Sequence, residues 1–280
     1  MRLILLGFKL TCLFVFMFGL SACDEFTKKD DIAAEAAEYA DWDVKKFQTE
    51  AKDAMESENY AKAIELLEKL EARYPFGPEA AQAQIDVAYA YYKNGDHEAS
   101  IAATDRFIKI HPRNPSVDYA YYLKGLVNYN RQIGFVERFL PIDSSQRDPA
   151  PARDAYRNFE DLLERFPDTK YAKDAKKRMT SLRNNLAMYE IHIARFYMKR
   201  DAYIAAANRA SKIIKEYQRT PAVPFALQIM QQAYKKLGLP LLASDSAKVY
   251  EHNYPDGPPV KEYQKSTVAH RVWDFIGLDK

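Results

Sequence analysis

The chain has 280 residues, enough for one large domain or two smaller ones, and carries 41 Lys and Arg against 39 Asp and Glu. Arg2 and Lys9 lie in the leading segment, and without them 39 basic side chains face 39 acidic ones. That balance excludes the basic footprint of a nucleic-acid binder, while 20 Tyr and 15 Phe against 9 Gly favour stacked helices over a sheet.

Residues 1–22 read as a secretory signal: Arg2, an apolar stretch, then Leu20-Ser21-Ala22 before Cys23. The apolar core, residues 10–22, is shorter than the about 20 residues a membrane span needs. Leu-Ser-Ala-Cys resembles the lipobox of bacterial lipoproteins, which implies cleavage before Cys23 and diacylglycerol on its sulfur. Cys12 would leave with the signal, so the mature chain has no thiol pair to oxidise. Residues 23–40 then read as a polar tether, with Asp24, Glu25, Lys28, Lys29, Asp30 and Asp31 leaving little to bury.

From 41 to 255 the chain reads as a helical repeat domain. A small residue stands eleven positions before an aromatic or His five times: Ala63 and Tyr74, Ser100 and His111, Ala155 and Phe166, Ala206 and Tyr217, Ala243 and Tyr254. Pro follows the second residue directly in four of the five, and Pro221 comes four residues after Tyr217. Such a frame predicts helix pairs. The first covers 43–57 and 60–74, and the second 78–94 and 97–111 with Asn94-Gly95-Asp96 as its turn. A second small position, at Ala51, Ala88 and Gly125, lets neighbouring helices approach closely.

The third pair, 115–131 and 150–165, is separated by a loop with an apolar side (Phe135, Phe139, Leu140, Ile142). It reads either as a lid on its own repeat or as a partner contact. No breaker lies between Lys170 and Lys199, which predicts one long helix of about 28 residues before the fourth closing helix. The fifth pair runs from 221 to 254 around Gly238-Leu239-Pro240. Residues 256–280 form a C-terminal extension with apolar residues at helical spacing, read as a capping helix or as a helix offered to a partner or the membrane.

The five His show no metal-ligand spacing, and neither a phosphate loop nor a GxSxG elbow occurs. The expected protein is therefore not an enzyme and needs no metal or other cofactor. In the repeat frame Ile85, Tyr89 and Tyr92 of one helix, and Tyr122 and Tyr129 of the next, fall on the concave side, where Tyr suits peptide binding. Plain packing between repeats is the other reading of these aromatics.

Arg73-Tyr74-Pro75-Phe76-Gly77-Pro78, Ala90 to Asn94, Asp105-Arg106-Phe107-Ile108, Asp118-Tyr119 with Lys124-Gly125-Leu126, and Arg147-Asp148-Pro149 with Ala152-Arg153 stand in one order. In that order they resemble the BamD family of tetratricopeptide lipoproteins. The resemblance spans roughly 40–255 and includes the lipobox. It implies an all-α fold of five tetratricopeptide-type helix pairs in a right-handed superhelix, lipid-anchored on the periplasmic face of the outer membrane. It implies docking on the POTRA region of BamA, companion lipoproteins of the same assembly complex, and unfolded outer-membrane proteins whose C-terminal targeting segments are bound. Asn208-Arg209 matches the family step that meets POTRA, which makes Arg209 the candidate contact. Asp24 after Cys23 departs from the pattern, because in enteric bacteria Asp there retains lipoproteins at the inner membrane. The competing reading is a periplasmic scaffold for cell-wall or envelope assembly without barrel clients.

Overall fold

The computed structural model describes residues 38–131, 145 and 147–258. The signal, Cys23, most of the tether, most of the third-repeat loop and the extension from 259 lie outside the described residues. Among those described there are ten α-helices and no strand: α1 Val44–Glu56, α2 Tyr60–Arg73, α3 Pro78–Asn94, α4 His97–Ile110, α5 Val117–Asn130, α6 Ala150–Arg165, α7 Ala172–Lys199, α8 Tyr203–Glu216, α9 Val223–Lys236 and α10 Pro240–Asn253. The chain divides into two compact units at Ala80 and Ala81.

The repeat frame has a backbone cause. Each closing residue leaves the helical region, with φ between −137° and −119°, while its N–H still donates to the carbonyl four residues back. Tyr74 bonds Leu70 in this way at 2.8 Å, and Phe166 bonds Leu162 at 2.8 Å. A residue before Pro is pushed out of the α region, so Pro75, Pro112, Pro167 and Pro255 each end a helix at the residue in front of them. Seven positions after the small residue stand Leu70, Phe107, Leu162 and Ile213, all fully buried.

The turn between the two helices is also alike in four of the five pairs. Five residues before the small position stand Glu58, Gly95, Asp201 and Gly238, with φ of 60°, 90°, 56° and 72°. Glycine adopts that left-handed turn freely, and Asp201 enters it with a local hydrogen bond from the Tyr203 hydroxyl, whereas Glu58 is strained in it. The third repeat differs: its equivalent, Ala150, starts α6 directly because the long loop replaces the tight turn.

In the first unit, Phe47 and Ala51 of α1 are buried, as are Ala63, Leu66 and Leu70 of α2. Tyr39, read from sequence as tether, is 4% exposed. Its ring meets Trp42 edge-on at 4.8 Å, its hydroxyl donates to Glu65 at 2.9 Å, and its carbonyl accepts from Arg73 at 2.6 Å. Packed rings and a held carbonyl make residues 39–42 part of the first repeat.

In the second unit, Phe107 of α4 packs with Ile85 of α3 and Ala120 of α5. Ser100 Oγ donates to the Ala88 carbonyl at 2.8 Å, which seals the close approach of α4 to α3. Phe159 and Leu162 of α6 pack with Ala175 and Leu182 of α7. Ile213 of α8 closes a core with Ile191 of α7 and Ala226 and Ile229 of α9.

Candidate functional site

Two surfaces in the second unit carry the residues singled out by sequence. The first is an aromatic wall on α3, α5 and the start of α7. Tyr89 and Tyr92, one turn apart on α3, lie 6.4 Å apart between ring centroids, and both are half-buried. Tyr122 of α5 stacks on Tyr171 at 4.4 Å with the planes 10° apart. Tyr119 meets the same Tyr171 at 5.7 Å.

Tyr122 and Tyr129, both on α5, are tied to α7. The Tyr122 hydroxyl donates to Asp174 Oδ2 at 2.7 Å, and Arg178 Nε reaches the same oxygen at 2.5 Å. The Arg178 guanidinium then sits 4.8 Å from the Tyr129 ring centre, a cation–π contact. Burial pushes the Tyr122 hydroxyl up to about 12, and the Asp174 carboxylate adds to this. For Asp174 burial opposes the charge, but the bonds from Tyr122 and Arg178 outweigh it and hold the carboxyl below its usual range.

Ile85 is corrected in part. It is 2% exposed and packs on Phe107 and Ala120, so it backs the wall and offers little free surface. Its depth follows from Tyr119 of α5, which packs against the same cluster. Beside it opens a cavity of about 430 Å³ edged by Asp86, Asp118, Tyr119 and Tyr171. Asp86 is half-buried with its carboxyl raised above the usual range by burial, against a hydrogen bond from Gln82 at 2.8 Å. Asp118 accepts from Thr169 Oγ1 at 2.6 Å. Sequence reasoning missed Tyr171, Asp86 and Asp174. Tyr171 lies beyond the stretched third repeat, and the only available signal was its place just before α7.

The second surface surrounds Arg209 on α8. Its side chain is 39% exposed, and Nη1 donates to Glu190 Oε2 of α7 at 3.0 Å. Lys212, one turn on, holds the other Glu190 oxygen at 2.8 Å. Glu190 has only 7% of its side chain exposed, so a nearly buried carboxylate anchors two half-exposed cations. For Arg209 burial disfavours the charge, yet the bond to Glu190 wins and raises its pKa. Arg209 therefore has a fixed aim and keeps exposed donor capacity.

Two of the four described histidines hold structural hydrogen bonds. His111 shares a 2.9 Å hydrogen bond with Gln84, and His192 one of 2.9 Å with Ser145. Among the described residues no helix is long and apolar enough to cross a membrane.

Comparison with known proteins agrees with the family resemblance. A family model described as "Outer membrane lipoprotein" matches residues 40–249. The outer membrane protein assembly factor BamD of Neisseria meningitidis serogroup B is 46% identical over 248 residues, covering 89% of this chain and 92% of that protein. The protein of the same description in Vibrio cholerae is 41% identical over 191 residues, 68% of this chain and 79% of its own length. That of Xylella fastidiosa is 39% identical over 207 residues, 74% and 71% respectively.

Proposed function

This chain belongs to the BamD family of outer membrane lipoproteins, and we propose that it is a lipid-anchored periplasmic scaffold of the outer-membrane β-barrel assembly complex. The family places it at the outer membrane with a role in outer-membrane protein assembly. Cys23 carries the lipid, and the repeats from 41 to 255 present the binding surfaces. The scaffold acts by binding, without a catalytic step.

Two contacts divide the work. The C-terminal repeats dock on the POTRA region of BamA, with Arg209 as a contact. The aromatic wall of Tyr89, Tyr92, Tyr122 and Tyr129, backed by Ile85, receives the C-terminal targeting segments of unfolded outer-membrane proteins. The observation that carries the docking reading is the aimed, part-exposed Arg209 guanidinium on its Glu190 anchor. Half-buried tyrosines with polar tips support the client reading, since they offer wide contact with adaptable hydrogen bonding.

Affinity capture of the tagged full-length chain from mildly solubilised membranes tests this. Recovery of a POTRA-bearing barrel protein is the expected result. Recovery of inner-membrane or cell-wall proteins in its place would favour the second reading, an envelope scaffold without barrel clients, which Asp24 supports. Membrane fractionation separates the two independently: the chain sediments with the outer membrane in the first case and with the inner in the second.

A further inference from the structure

We propose that the groove between α6, α7 and α8 binds an acidic peptide segment of a protein partner. Its cavity measures about 450 Å³. Arg153, Tyr156 and Arg157 face it from α6, Arg183 and Leu186 from α7, and Glu216 and Tyr217 from the end of α8. The string Ala152-Arg153, part of the ordered set read from sequence, thus ends in a cationic recess that neither the aromatic wall nor the Arg209 contact uses.

Charge in the groove is unbalanced. Three guanidiniums face one carboxylate, that of Glu216. Glu216 lies 3.8 Å from Lys212 and so is shared with a cation already held by Glu190. Arg157 reaches Asp154 at 3.2 Å, but both side chains are well exposed, at 69% and 48%. Such an open pair is worth little and is readily exchanged for an incoming carboxylate. Arg183 is aimed: it is half-buried, and its Nη2 donates to the Glu216 carbonyl at the end of α8 at 3.1 Å. Its remaining donors are thereby positioned, and a guanidinium fork matches a carboxylate.

The rest of the lining is apolar. Leu186 is 8% exposed and forms the floor, with half-buried Tyr156 and Tyr217 as walls. A ligand that fills the groove therefore places a carboxylate beside an apolar side chain. An extended acidic peptide has that alternation. A free phosphate has no apolar part, and a bilayer plane cannot enter a recess between helices. The groove also continues the surface around Arg209: Arg209, Lys212 and Glu216 stand at helical spacing on one side of α8. The inference rests on the scaffold reading and extends its docking surface beyond Arg209.

The test is fluorescence anisotropy with the full chain in mild detergent and a labelled Asp-Phe-Asp-Leu-Asp-Phe peptide, with a Lys-for-Asp counterpart. The acidic probe binds, the basic probe does not, and affinity falls as salt shortens the reach of the charges. Arg153 and Arg157 are exposed, so the Arg153→Gln/Arg157→Gln double variant is expected to keep its fold, which circular dichroism checks. It binds the acidic probe at least about tenfold more weakly, the loss of one charge-assisted contact. Equal binding of both probes, unchanged affinity in the double variant, or displacement of the peptide by dihexanoylphosphatidylglycerol more readily than by unlabelled peptide would each overturn the assignment. If probe binding fails while wild-type chain still captures a POTRA protein, the groove assignment falls alone. Failure of that capture removes the scaffold reading with it.

Discussion

Arg209 and Glu190 bond across α7 and α8 at 3.0 Å, and the carboxylate they share with Lys212 is nearly buried. A candidate partner contact is thus also part of the fold's own charge network, and the two roles respond differently to substitution. Arg209→Gln leaves Glu190 still held by Lys212, so it costs about 0.5–1.5 kcal/mol. At roughly 2–4 °C per kcal/mol, the melting temperature falls by a few degrees. Arg209→Glu adds a second carboxylate beside a buried one and lowers it further. If Arg209 is a docking residue, BamA capture drops in Arg209→Gln, whose fold is almost intact. Loss of capture in Arg209→Glu alone, tracking its melting temperature, would mark Arg209 as structural.

Glu58 bears a side chain in a left-handed turn where two other repeats have Gly. An L-residue there costs roughly 1–2 kcal/mol, partly offset by the greater freedom that Gly loses on folding. Glu58→Gly is therefore expected to gain about 0.5–1 kcal/mol, and Glu58→Val to lose at least as much, because β-branching worsens the strain. Thermal melting in the order Gly, Glu, Val checks this; an unstabilised Gly variant would show that the turn relaxes without cost.

Gly125 lies mid-helix in α5, and a Cβ there would stand 2.5 Å from Phe159 Cε1 and within 3 Å of two more atoms of that ring. Phe159 is fully buried and has no room to swing away. Overpacking costs about 1–3 kcal/mol, more than the roughly 1 kcal/mol that Ala gains over Gly in a helix. Gly125→Ala should melt lower, and Phe159→Leu should recover part of that loss in the double variant. Additive losses would mean the ring is not what limits the approach.

The helix pairs were legible because they are terminated locally. A Pro after the closing residue, or a turn Gly five before the small one, acts within a few positions of itself. α3 was placed at 78–94 and α6 at 150–165, as observed. What was not legible depends on long-range contact. Tyr122 meets Tyr171 and Asp174 across the stretched third repeat, which breaks the register that sequence spacing relies on. The Glu190 anchor of Arg209 lies inside a long helix with no repeat frame of its own. Tyr39 reads as tether by its polar neighbours, and only the fold brings Trp42, Glu65 and Arg73 around it. The depth of Ile85 is likewise set by long-range contact, with Phe107, Ala120 and Tyr119 closing over it.

Asp86 offers a test of whether the cavity on the aromatic wall is merely tolerated. Burial raises its carboxyl above the usual range. Around it stand Asp118, bonded by Thr169, together with Asp168, Lys170 and the Tyr119 ring. A carboxyl whose pKa is raised on folding contributes stability below its unfolded value, and that contribution is lost as pH rises through the raised one. At neutral pH the ionised group therefore weighs against the fold. Asp86→Asn should melt higher than the parent at pH 7, and the advantage should shrink on acidification and vanish near pH ~3, below the ordinary Asp value. A parent that is the more stable of the two at pH 7 would show that its carboxylate is compensated by a cation, and Lys170 would be the first residue to substitute.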